Sequence, residues 1–200
     1  MEELTFDEAT HTYKLGDREI PSVTTITSIL SNLVYGGIDK DILRMAADKG
    51  TAVHKAIEEY ELFGEYELEP KWQGYMEQYL KAKEEIGFKV IKTEQRLHNF
   101  DYAGTIDCIG KYNEKTIIID WKTTSKLHEK LIQPQLSAYC ELADVDGVLI
   151  EGLYVLHLTK TKYEFKEIKY DMTIFNKCLD IYNYIKEDLC EMPTQDDTTN

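Results

Sequence analysis

The run Ile117-Ile118-Ile119, followed at once by Asp120-Trp121-Lys122, constrains the fold more than any other stretch of the chain. Three consecutive β-branched residues stiffen an extended backbone and resist helix. With no polar alternation they read as a strand covered on both faces, and so as the interior of a layered α/β domain. A carboxylate on such a strand is costly to bury unless it is paired or holds a cation. Asp120 and Lys122 are two apart, so on an extended strand their side chains share a face.

The flanking segments support a mixed sheet. Lys89–Leu97 and Gly104–Tyr112 show the period-two pattern of strands, and the turn-like Asn113-Glu114-Lys115 joins the second of them to Thr116–Trp121. Asp107, within Ala103-Gly104-Thr105-Ile106-Asp107-Cys108-Ile109, can then approach Asp120 if the two strands pair as a hairpin. Gly152–Leu158 and Tyr163–Tyr170 read as two more strands around Thr159–Lys162. Helical periodicity marks Asp39–Leu62, with a possible break at Gly50, then Pro70–Ile86 stopping at Gly87, Lys130–Leu142 and Met172–Leu189. The opening is read as a hairpin around Gly16-Asp17 and a short helix over Thr25–Leu30.

The expected fold is therefore mixed α/β, a central mixed β-sheet flanked by helices. The expected organisation is one domain over residues 1–193, with residues 1–38 as the N-terminal hairpin and short helix, 39–193 as the core and 194–200 as a disordered tail.

Two carboxylates and an ammonium converging at a strand end suit metal-assisted phosphodiester hydrolysis. Carboxylates hold divalent cations, and a lysine offsets negative charge that develops in the transition state. Taken alone, Asp120 and Lys122 would more often be a salt bridge. Composition narrows the alternatives. The net charge of −14 counts against a protein that coats nucleic acid generically. No apolar run approaches a membrane span and the start is acidic, so the reading is soluble, cytoplasmic and without membrane partners. Cys108, Cys140, Cys178 and Cys190 form no CxxC pair, so neither zinc nor an iron–sulfur cluster is expected, and Cys108 and Cys140 read as buried free thiols. No Walker A loop is present, so no ATP use is expected.

Further residues stand in order around the strand pair: Gly50 and His54 on a helix upstream, Gln135 and Tyr139 one helical turn apart downstream. The ordered set Gly50/His54, Asp107, Asp120/Lys122 and Gln135/Tyr139 resembles the RecB-type branch of the PD-(D/E)XK nuclease superfamily, which carries GxxxH, Asp, (D/E)xK and QxxxY in this sequence. The opening Leu4-Thr5-Phe6-Asp7 through His11-Thr12-Tyr13 to Pro21-Ser22-Val23-Thr24 is similar to the start of phage RecB-type exonucleases. The Pro-Ser-Val-Thr step is also similar to one in the mitochondrial genome maintenance exonuclease family.

The resemblance implies a restriction-endonuclease-like core, one or two Mg²⁺ or Mn²⁺ ions, and action on DNA, single strands or ends favoured, in a phage or host recombination or repair setting. It makes Lys122, Asp120 and Asp107 catalytic, and His54, Asp107, Asp120 and the Trp121 backbone carbonyl metal ligands. An imidazole ligand shifts preference toward Mn²⁺. Gln135 and Tyr139 would contact the DNA backbone or support Lys122, and Glu94 is a further candidate ligand. Tyr102, Trp121 and Tyr139 are candidates to stack on bases, with core packing the favoured reading for most of them. Two other readings stay open: a non-catalytic binding module on the same fold, favoured by the acidity, and a structure-specific endonuclease or RNA-acting enzyme.

Overall fold

The computed structural model describes residues 3–7, 10 and 12–191, the last four by backbone only. Residues 194–200, read above as a tail, lie outside the described residues, as do His11 and Asp196-Asp197.

Among the described residues the strands form two sheets. The larger has the order β4-β5-β6-β7-β8, built from Lys89–His98, Ala103–Tyr112, Lys115–Lys122, Gly152–Leu158 and Tyr163–Ile168. Its β6–β7 pairing is parallel and the rest are antiparallel, so the sheet is mixed as expected. β5 and β6 are joined through Asn113 and Glu114, both at positive φ (49° and 64°). That is the backbone twist a two-residue hairpin requires. Ile117 and Ile119 face one core and Ile118 the other, so this strand is buried on both faces.

Helices cover each face. α1 (Val23–Tyr35), α4 (Glu129–Val145) and α5 (Thr173–Glu191) pack over Ile106, Ile109, Ile118 and Val155. α2 (Lys40–Phe63) and α3 (Gln73–Ile86) cover Cys108, Ile117, Ile119, Trp121 and Leu156. The small sheet β1-β2-β3 (Leu4–Asp7, Thr12–Leu15, Arg18–Ile20) buries Tyr13, Leu15 and Ile20 against Ala103. Pro21 O accepts from Ala103 N (3.0 Å), which ties the Pro-Ser-Val-Thr step to the start of β5.

Several expectations need correction. The short helix over Thr25–Leu30 is the longer α1, capped by Ser22, whose Oγ accepts from Thr25 N (2.9 Å). α2 runs unbroken through Gly50. Its apolar stripe is buried only from Val53 onward; Ile42 and Met45 are 60% and 68% exposed. Periodicity alone could not show that nothing packs on the first turns. The core reading, by contrast, holds for Tyr102, Trp121 and Tyr139: all are buried, Trp121 against Tyr79 and Phe88 and Tyr102 against Phe175. Cys108 is a buried free thiol, whereas Cys140 is only half-buried. No helix among the described residues is long and apolar enough to cross a membrane.

Candidate active site

The site lies where two strands separate. β5 and β6 are paired from Tyr112–Lys115 up to Cys108–Ile119, and there the pairing ends. The next residue on each strand is an aspartate, Asp107 and Asp120. Trp121 N–H, left without a β5 carbonyl, donates to Asp107 Oδ2 (2.8 Å). Side-chain alternation also slips here, since Ile106 packs in one core and Cys108 in the other. On β4, Glu94 sits between the pairs Thr93–Cys108 and Gln95–Ile106, opposite Asp107, with φ of 47°. A non-glycine residue in that region is strained, and such strain gathers at functional sites.

α2 brings His54 across the sheet so that its Nδ1 lies 3.6 Å from Asp107 Oδ2. His54, Glu94 and Asp107 each offer a ligand atom, all within 4.8 Å of one another. Asp120 is held differently. Lys122 Nζ donates to its Oδ1 (3.0 Å) and lies 2.8 Å from its Oδ2. That second approach is outside hydrogen-bonding geometry, so buried Oδ2 has a charge nearby but no hydrogen bond. Gln135 links the group: its Oε1 accepts from Lys122 (3.3 Å), and its amide donates to Asp120 Oδ1 (3.2 Å) and to the Tyr139 hydroxyl (3.0 Å). Tyr139 fits beneath β5 because position 104 is glycine; a Cβ there would meet its ring at 2.7 Å.

Burial and crowding set the charges. Burial lowers the His54 pKa, but the Asp107 carboxylate more than offsets it, and the net shift is upward. Asp107 is raised by burial and lowered further by His54, Lys122 and the Trp121 amide, so it ends below the usual range. Asp120 is pushed up to about 6 by burial, despite Lys122. Glu94 is pushed up to about 7 by burial and by Asp107. Burial lowers the Lys122 pKa, the two aspartates raise it, and the net shift is upward. Acidic groups forced together, one carboxylate oxygen lacking a hydrogen bond, and an imidazole beside them form an oxygen-and-nitrogen donor set that fits a divalent cation.

The cleft around these groups holds about 690 Å³ and is also lined by Ser22, Thr24, Lys55 and Arg96. Of the residues singled out in the sequence, His54, Glu94, Asp107, Lys122, Gln135 and Tyr139 line this cleft, Asp120 lies behind them bonded to Lys122 and Gln135, and the Tyr102 and Trp121 rings pack elsewhere. Lys122 also senses Tyr35 at the end of α1. The sequence carries no signal for Tyr35, which interacts with Lys122, or for Arg96, which lines the cleft; both come near only through the tertiary fold. His98 and His128 stand apart from the carboxylates: His98 Nδ1 lies 3.1 Å from Asn99 O, and the His128 ring packs edge-on to Tyr35.

The mixed α/β fold and the paired carboxylates with a lysine at a strand end match the nuclease class expected from the sequence, and a family comparison gives the class directly. The PD-(D/E)XK nuclease superfamily model matches residues 65–173, over half of the chain. The chain belongs to the PD-(D/E)XK nuclease superfamily. The matched span contains Glu94, Asp107, Asp120, Lys122, Gln135 and Tyr139, while His54 lies before it. Curated proteins give no match by sequence. Among solved structures, the chain is similar to SSO0001, at 16% identity over 56% of this chain and 57% of that one, with TM-score 0.36. The chain thus spans little more than half the length of SSO0001. It is also similar to a phage related exonuclease from Haemophilus somnus 129PT, at 12% identity over 85% and 96% of the chains, TM-score 0.39. An alkaline exonuclease from Laribacter hongkongensis is 11% identical over 72% and 86%, TM-score 0.38. The family assignment rests on the sequence match. The likeness to the mitochondrial exonuclease family gains no support from these matches.

Proposed function

We propose that this chain is a divalent-metal-dependent deoxyribonuclease, an exonuclease on single-stranded DNA or DNA ends that serves phage or prophage recombination or repair. Residues 1–193 are taken as one nuclease domain. The observation that carries the reading is the fork between β5 and β6, which sets Asp107 in a ligand group with His54 and Glu94 and holds Asp120, within its electrostatic reach, against Lys122.

His54, Glu94 and Asp107 would hold Mg²⁺ or Mn²⁺, with Asp120 Oδ2 as a further ligand. The Trp121 carbonyl is also assigned here, since the N–H and C=O of one extended residue point to the same side and its N–H faces Asp107. A cation bound there supplies positive charge beside the phosphoryl oxygens and lowers the pKa of water. Lys122 stays protonated at neutral pH and holds its charge against the phosphate as negative charge builds in the transition state. Gln135 fixes the Lys122 ammonium by accepting a hydrogen bond from it. The Tyr139 hydroxyl accepts from Gln135 and has its own proton to donate toward a phosphate oxygen. Lys55, Arg96 and the Ser22 and Thr24 hydroxyls line the same cleft, giving a narrow contact path to the strand in a chain of net charge −14.

The test is a time course with Mg²⁺ or Mn²⁺ on end-labelled linear and on circular single strands. Progressive shortening of the linear strand with the circle intact supports the exonuclease. Linearised circles point to the endonuclease instead. That acidity favours a second reading, a non-catalytic binding module, which requires that neither substrate is cut with either metal.

A further inference from the structure

We propose that Lys49 and His157 are positioning residues for Lys122, clamping the backbone just beyond it from two sides. The inference rests on the reading of Lys122 as catalytic.

β6 ends at Lys122, and residues 123–128 lead from it to α4. A side chain on the last residue of a strand is only as fixed as the backbone that follows. Here the next two carbonyls are both held. Lys49 Nζ donates to Thr123 O at 2.6 Å, a short charge-assisted bond across 74 residues of sequence. The Lys49 ammonium also lies 5.2 Å from the centre of the Tyr75 ring, which keeps it over that face. From the other side, His157 Nε2 lies 2.6 Å from Thr124 O. A carbonyl only accepts, so Nε2 carries the proton and donates. His157 is the residue paired with Lys122 in the β6–β7 register, and it is 7% exposed.

Two features set this pair apart from ordinary packing. The two side chains donate to consecutive carbonyls next to one lysine. Lys49 also stands on α2, the helix that carries His54. Val53, Ala56 and Ile57 already anchor that helix in the core, so the Lys49 bond fixes the Thr123 backbone to a support that does not depend on it.

The experiment measures single-turnover rate and KM on an end-labelled single strand, Mn²⁺ affinity by calorimetry, and melting temperature. The variants are Lys49→Met, Lys49→Arg, His157→Leu and His157→Gln. A displacement near 1 Å at a reacting group costs up to about 100-fold in rate. Lys49→Met and His157→Leu should therefore lose about 10- to 100-fold in rate, with KM and Mn²⁺ affinity within about threefold of wild type. Lys49→Arg and His157→Gln keep a donor and should stay within about fivefold of wild type in rate. An unchanged rate in Lys49→Met and His157→Leu overturns the clamp, and so does a loss that appears in KM or in metal affinity. If those two fail to fold, the donor-keeping pair decides: a loss beyond about tenfold in either overturns it, and retention supports it. A wild type inactive with both metals refutes the nuclease reading and the clamp with it. An active wild type with insensitive variants refutes the clamp alone.

Discussion

Glu94→Gln separates the cost of the site from its use. Glu94 sits at φ 47° opposite Asp107, and burial, followed by that neighbour, pushes its carboxyl from 4.5 up to about 7. A pKa unit corresponds to about 1.4 kcal/mol, so keeping Glu94 ionised in the metal-free fold costs on the order of 3 kcal/mol at pH 8. The folded pKa lies above the unfolded one, so between about 4.5 and about 7 the folded state binds more protons. Stability from this group is therefore present at low pH and is lost as pH rises through that window. Glutamine keeps the shape and removes the titration. In urea denaturation with chelator, Glu94→Gln should exceed wild type by up to about 3 kcal/mol at pH 8, and the gap should close toward pH 4.5. With Mn²⁺ the order should narrow or reverse, because ligand binding adds stability in proportion to affinity and wild type binds more tightly. A variant no more stable than wild type at pH 8, or a gap that ignores pH, would refute the reasoning.

Mn²⁺ affinity measured by calorimetry should rise with pH from 5 through 7 and level off only above it, since Glu94 and Asp120, held at about 7 and about 6, and His54, shifted upward, must all lose protons to bind a cation. Gly104→Ala should destabilise by about 1–3 kcal/mol in chemical denaturation and lower activity, because the new Cβ meets the Tyr139 ring at 2.7 Å and Val23 at 3.2 Å. Gly50→Ala should do the reverse, holding or raising the melting temperature by the equivalent of about 0.5–1 kcal/mol, since its Cβ meets only Thr123 Oγ1 at 3.6 Å in a helix interior.

What the chain discloses before folding is uneven, for physical reasons. The triple isoleucine and the period-two segments specify the strand pair and put Asp107, Asp120 and Lys122 near one another. They are silent on where the pairing stops. Which β4 residue faces Asp107 is set by the β4–β5 register, a non-local pairing, so Glu94 could not be ranked above a surface glutamate from sequence. Its left-handed φ has no local cause, since no glycine or asparagine stands there. The first turns of α2 show the opposite failure. Ile42 and Met45 fall on a helical stripe, yet a stripe is buried only if an element arrives to cover it. Lys49 and His157 were illegible because their partners lie 74 and 33 residues away. Both looked like ordinary polar residues, and only the fold gives their donors a shared target.

The central claim is that the group at the β5–β6 fork cleaves DNA with a divalent cation. The most direct measurement is cleavage of an end-labelled single strand by wild type and by Lys122→Ala, with Mg²⁺, with Mn²⁺ and with chelator. The account predicts cleavage by wild type that chelator abolishes. It predicts a loss on the order of 100- to 1000-fold in Lys122→Ala, the scale seen when one charge-stabilising donor is removed. Equal rates in wild type and Lys122→Ala, whether both active or both inactive, would contradict it.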